Sequence, residues 1–218
     1  MNEVTRREFV KAASAVTAVG ATTLPAWAVQ ENRDPIKIGF IGCGGRGTGA
    51  ANQALNANEN AVIWAMGDAF EDRLTSSQKA LLDEQGSRAE IPKERQFVGF
   101  DAYQKVIDSG VDMVILTTPP HFRPAHIAAA VKAKKHVFCE KPMAVDGSGV
   151  RSVMESTKLA KENGTNLMSG FCWRYNLPIR AAFKQLHNGA IGDVRSYFAT
   201  YYSAPLWTKP RKENWSDV

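Results

Sequence analysis

Short apolar runs recur from Ile36 onward, each followed by a longer stretch of mixed polarity. Ile36 to Ile41 alternates apolar residues with others and predicts a strand, and Ala61 to Met66 predicts a second. Val111 to Thr117, His136 to Glu140 and Leu167 to Cys172 predict three more, with a further short strand within Glu90 to Val98. Between them, Thr48 to Ala57 is alanine-rich and helix-compatible, and residues 70–85 read as a charged surface helix. Pro124 opens an alanine-rich helix to Lys135, proline being well suited to a first turn. From Asp146 to Asn163, apolar residues at 150, 153, 154 and 157 make one helical face. Near-continuous apolar strands alternating with helices predict an α/β fold, a doubly wound parallel sheet covered on both faces.

The pattern changes after Trp173. Pro178 to Asn188 predicts a helix, and Arg195 to Tyr202 alternates with Tyr197, Ala199 and Tyr201 on one side, as a half-exposed antiparallel strand would. Residues 173–218 are therefore expected to begin an α+β domain with an open antiparallel sheet, following a domain over residues 36–172.

The first 28 residues read differently again. Arg6, Arg7 and Lys11 precede a weakly apolar run, Ala12 to Leu24, and then Ala26-Trp27-Ala28. Basic, apolar, small-x-small is the order of an export signal, and the run is too short to span a bilayer. Thr5-Arg6-Arg7-Glu8-Phe9-Val10-Lys11 resembles the twin-arginine signal, with Val10 where leucine is usual. The expectation is a periplasmic or otherwise exported protein without a stable membrane span.

Composition narrows the function little. Lys and Arg total 27 against 22 for Asp and Glu, a formal net charge of +5. There is no basic block or aromatic-interleaved basic stripe, so nucleic acid is not an expected partner. Four histidines (121, 126, 136 and 187) and three cysteines (43, 139 and 172) fit no zinc-ligand spacing, and no metal is expected.

The chemistry is carried by Gly42-x-Gly44-Gly45-Arg46-Gly47, which lies between a predicted strand and a predicted helix. The first glycine permits a tight turn, the second lets a pyrophosphate approach the backbone, and the third lets the helix pack on the strand. The helix N-terminus then offers unpaired N–H groups to the phosphates. Asp68 ends the next strand, 21 residues past Gly47, where a carboxylate accepts from adenosine ribose hydroxyls and repels a 2′-phosphate. NAD is favoured, with Arg73 close enough to keep NADP as an alternative. Asp68 could equally cap the helix from residue 70, and Arg46 either reaches the phosphates or lies in solvent.

"IGFIGCGGRG", "TTPPHFRPAH", "KKHVFCEKPMAVD" and "GFCWRYNLP" together resemble the Gfo/Idh/MocA family, glucose-fructose oxidoreductase and inositol dehydrogenase among them. The closing "LWTKPRKENWSD" resembles exported members. The resemblance implies that Thr118, Pro119 and His121 lie against the nicotinamide-side ribose and that Glu140 contacts that ribose. It implies that Lys141, held by Pro142, binds the substrate hydroxyl beside the carbon that exchanges hydride. Trp173 and Arg174 would enter the cleft between domains, with Tyr175 following them. Each residue also has a plainer role. His121 would only cap a helix, Glu140 and Lys141 would pair in solvent, and Trp173 would pack a junction.

The implied activity is NAD(P)-dependent hydride transfer at a secondary hydroxyl of a sugar or cyclitol, in a homo-oligomer when full length. The alternatives are an NAD-dependent glycosidase of the same family, or a nucleotide-binding fragment without turnover. The family's second domain brings an Asp-x-x-x-His pair for proton transfer. None occurs after residue 178, so a C-terminally truncated chain is expected.

Overall fold

The structure, a computed structural model, describes residues 34–204, 210, 211 and 213. The export signal read at residues 1–28 lies outside the described residues, as does most of "LWTKPRKENWSD". Residues up to Phe171 and those from Cys172 onward form two compact units.

In the first unit six strands make one sheet in the order β3-β2-β1-β4-β5-β6, every pairing parallel. The strands are β1 (Ile36–Ile41), β2 (Ala61–Asp68), β3 (Gln96–Val98), β4 (Met113–Leu116), β5 (His136–Cys139) and β6 (Leu167–Ser169). The order reverses between β1 and β4, so the loops after these two strands part and leave a crevice at their carboxyl ends. Helices α1 (Gly45–Ala57) and α2 (Glu71–Gln85) lie on one face, and α3 (Ala102–Asp108), α4 (Arg123–Lys132) and α5 (Gly147–Glu162) on the other.

Two cores result, one under each helical layer. On the first face Ala51 and Leu55 of α1 and Leu74 and Leu81 of α2 bury against Phe40, Ile63 and Ile115. On the second, Val106, Ile127, Val131 and Val153 meet Ile41, Val114, Leu116 and Val137. Each such fully buried aliphatic side chain contributes about 1.5–3 kcal/mol. The α5 start is fixed by Asp146, whose Oδ1 accepts from Gly149 N at 2.6 Å.

Three local differences from the sequence reading have physical causes. First, α3 was not anticipated, because it is short and only Val106 and Ile107 mark its apolar side. It presses so closely on the sheet that a Cβ at Gly39 would lie 2.5 Å from Val106 Cγ1. Second, Cys172 does not end a strand. β6 stops at Ser169 and Cys172–Tyr175 forms a 3-10 turn. Third, residues 195–202 form no strand, so the described residues contain no antiparallel sheet. Alternation supplies a face, but a strand also needs a neighbour to take its N–H and C=O groups, and no described strand pairs with this segment.

The second unit contains α6 (Leu177–His187), capped by Asn176, whose Oδ1 accepts from Ile179 N at 3.1 Å. No described helix is long and apolar enough to cross a membrane.

Two glycines of α1 give a sharp test of this packing. A Cβ at Gly47 would lie 1.8 Å from the Gly42 carbonyl oxygen, whereas one at Gly49 meets nothing within 4 Å. Gly47→Ala is expected to cost about 3 kcal/mol or more by overpacking against backbone. Gly49→Ala should add about 0.5–1 kcal/mol of stability through helix propensity. Chemical denaturation of both variants checks this, and equal effects would contradict the close approach.

Candidate functional site

The glycine turn folds as its sequence demands. Gly42 has φ +96°, and a Cβ there would lie 2.7 Å from Thr118 N. Gly44 is the N-cap residue of α1 and offers no side-chain cap, and no acidic residue occupies the first turn. The N–H end of α1 is thus left to whatever lies outside the helix. A Cβ on Gly44 or Gly45 would meet nothing within 4 Å. Packing therefore demands glycine at 42 and 47, while at 44 and 45 the missing side chains leave open room over the helix end. That is the shape a pyrophosphate needs.

Asp68 closes one side of this turn. Its Oδ2 accepts from Cys43 N at 2.6 Å and its Oδ1 from Phe70 N at 3.0 Å. Phe70, not Asp68, holds the N-cap position of α2. The carboxylate thus ties the glycine turn to the end of β2, with further lone pairs for a hydroxyl ligand. Beside it opens a cavity of about 280 Å³, lined by Gly42, Gly44, Asp68, Arg73, Thr118 and Pro119, with Phe70, Phe100 and Phe122 on its aromatic wall. Phe70 and Phe100 are 63% and 75% exposed, which leaves ring surface on this wall for a flat apolar group to cover.

On the other side of β1, Arg46 is half exposed and paired. Its Nε donates to Glu140 Oε1 at 2.7 Å, and a terminal nitrogen lies 2.5 Å from the same oxygen. Glu140 is buried, and its Oε2 accepts from Lys141 N at 3.3 Å. The solvent-exposed Glu140–Lys141 pair considered from the sequence is therefore replaced by a bond between residues 94 apart in the chain. Gly170 packs on the same carboxylate, where a Cβ would sit 3.0 Å from Glu140 Cδ.

Lys141 is exposed, precedes Pro142 through a cis peptide bond, and lines an apolar groove with Met143, Val150, Met154 and Phe171. It borders this groove and not the cavity beside Asp68. His121 is exposed and edge-on to Phe122, and Phe122 takes the N-cap position of α4, so His121 does not cap that helix. Trp173 and Arg174 belong to the second unit, where Trp173 meets Tyr201 edge-on at 6.4 Å. Burial raises the thiol pKa of Cys43, and pushes that of Cys139 up to about 12, so both stay protonated.

Two site residues escaped the sequence reading, Arg123 and His126, both inside the quoted "HFRPAH" segment. His126 is buried, stacks on Tyr103 at 4.1 Å, and has Nδ1 3.3 Å from Thr118 Oγ1. Burial lowers its pKa to about 4. Arg123 is buried and bonds to three backbone carbonyls. A histidine or arginine at the start of a helix ordinarily reads as a surface residue, so only the neighbouring Pro124, which fixes where the helix begins, hinted at either.

Residues 36–171 match the family described as "Oxidoreductase family, NAD-binding Rossmann fold" (Gfo/Idh/MocA). Myo-inositol 2-dehydrogenase of Thermotoga maritima is 31% identical over 157 residues, which cover 72% of this chain and 42% of that protein. Scyllo-inositol dehydrogenase from Lactobacillus casei, solved with bound NAD(H) and scyllo-inositol, superposes with a TM-score of 0.59. It is 25% identical, the match covering 73% of this chain and 43% of that one. A 3-ketoreductase from Actinomadura kijaniata, solved with TDP-benzene and NADP, gives 0.56 at 26% identity, over 74% of this chain and 45% of that one. The chain thus spans about two fifths of the length of the curated relative.

The buried imidazole makes stability depend on pH. With a folded pKa of about 4 against 6.5 unfolded, the unfolded chain takes up the proton first as pH falls. This contribution is fully present above pH 6.5 and is lost on the way down to pH 4, about 3 kcal/mol in all. His126→Gln should flatten the pH dependence of urea denaturation between pH 7 and 4.5. Identical slopes in both proteins would show that the neutral, buried imidazole is not the cause.

Proposed function

Because the chain belongs to the Gfo/Idh/MocA family of oxidoreductases, we propose that its crevice binds a nicotinamide dinucleotide, and that the whole protein transfers hydride between it and a secondary hydroxyl of a sugar or cyclitol. One observation carries the binding half. The uncapped, glycine-lined start of α1 lies at the β1/β4 switch point with Asp68 beside it. The pyrophosphate rests on the α1 N–H groups in the room left by Gly44 and Gly45, and Asp68 accepts from the adenosine ribose. The phenyl wall of Phe70, Phe100 and Phe122 takes the flat base. Asp68 favours NAD, and Arg73 on the same cavity is the residue through which NADP would be held.

The other half of the ligand extends over β4 and β5, toward Thr118, Pro119, His121 and Glu140. When bound, the nicotinamide supplies the carbon that accepts hydride. Lys141 holds the substrate hydroxyl and stabilises the negative charge that grows on its oxygen as the proton leaves. The proton acceptor belongs to the part of the relatives' length that this chain does not span. The inositol and sugar relatives support the substrate class. Export by the twin-arginine route joins the proposal on the strength of Arg6, Arg7 and Phe9.

Saturating NAD should raise the melting temperature by several degrees, since ligand at a hundred times Kd adds about 2.7 kcal/mol. No shift with NAD or NADP would sink the binding reading. In the full-length protein Lys141→Ala should abolish hydride transfer with NAD affinity nearly unchanged. Parallel loss of both would refute the role given to Lys141.

A further inference from the structure

Arg123 sits where a cation is least welcome. It is the first residue of α4, at the positive end of the helix dipole, and only 6% of it is exposed. No described carboxylate forms an ion pair with it, and the nearby Glu140 carboxylate is taken by Arg46. A buried guanidinium in this position is costly unless its donors are used, and three of the five are given to backbone carbonyls. Nε donates to Thr118 O at 2.8 Å, while Nη1 donates to Glu140 O at 2.8 Å and to Pro142 O.

These three carbonyls belong to the two loops that follow β4 and β5. Thr118 also faces the cavity, Glu140 meets Arg46, and Lys141 lies between two carbonyls held by one side chain. We propose that Arg123 is the positioning residue for the nicotinamide half of the cleft, fixing the loops that carry Thr118, Glu140 and Lys141 without touching the ligand. The inference rests on the dinucleotide reading. A ligand whose pyrophosphate lies on α1 places one nucleoside on the β2 side, at Asp68, and the other on the β4–β5 side. Its bonds to Glu140 O and Pro142 O act on the second side alone, while the third holds Thr118, whose loop also lines the cavity beside Asp68. A guanidinium suits this task because its planar fork reaches several acceptors at once, which an ammonium on a flexible stem does not.

The test compares NADH with ADP, which lacks the nicotinamide nucleoside, on the chain as it stands, by calorimetry beside thermal melts. The unaltered protein should bind NADH more tightly than ADP. Arg123→Gln should weaken NADH about tenfold and ADP by no more than about threefold, because two of the three lost bonds act only on the loop after β5. Arg123→Lys should lie between, and carries the comparison if Arg123→Gln fails to fold. A purely structural role would lower the melting temperature and leave the NADH-to-ADP ratio unchanged, which would overturn the proposal. Equal affinity for the two ligands before mutation would also overturn it. Binding of neither ligand would instead remove the dinucleotide reading on which it rests.

Discussion

No side chain fits between the first turn of α1 and the carbonyl of Gly42, where a Cβ on Gly47 would lie 1.8 Å from the oxygen. The rest of the site depends on that approach. Gly42 N donates to Gly67 O at 2.8 Å, fastening the turn to β2. From the other side the Thr117 hydroxyl donates to Gly42 O at 2.6 Å, fastening it to the end of β4. Asp68 adds a third tie through Cys43 N. A turn held by both neighbouring strands brings the helix start directly over the crevice, with its N–H groups aimed at the space where the strand order reverses. Sequence, close packing and ligand geometry thus meet in two glycines that packing demands and two that it does not.

Charge is arranged around this turn with little redundancy. Asp68 serves the β2 side and Glu140 the β5 side, and each carboxylate is already bonded within the protein. Arg46 links the glycine turn to Glu140, so any phosphate that draws on Arg46 shares it with a buried carboxylate. Removing either partner would leave the other charge with poor compensation, and most severely if Glu140 were the one left. Arg123, by contrast, hydrogen-bonds to neutral carbonyls, with the Glu140 carboxylate near enough to favour its charge, and its bonds act through backbone. The pocket's polarity is therefore built from loops of four different strands, while its rigidity comes from a sheet that exposes few of its own groups to it.

Much of the fold was legible because parallel strands buried on both faces are apolar runs, and five of the six announced themselves in that way. The glycine turn was legible because each glycine has a separate steric reason, and the sheet supplied the context. What escaped depends on tertiary placement. Helix α3 has too short an apolar side to show periodicity, and its closeness to the sheet is visible only in Gly39 and Gly67. Arg123 and His126 are polar residues near a helix start, and nothing local marks them as buried. The Arg46–Glu140 bond joins motifs read separately, 94 residues apart. At residues 195–202 alternation was present and pairing was not, so a sequence pattern sufficient for a face was insufficient for a strand.

The central claim is that one ligand spans the loops after β1, β2, β4 and β5. Backbone amide NMR during titration with NAD tests it most directly. The account predicts saturable shifts at Gly44, Gly45, Arg46, Asp68, Thr118 and Glu140, with the β1–β4 sheet interior unmoved. Shifts confined to the β2 side, or gathered in the groove between α1 and α2, would contradict it.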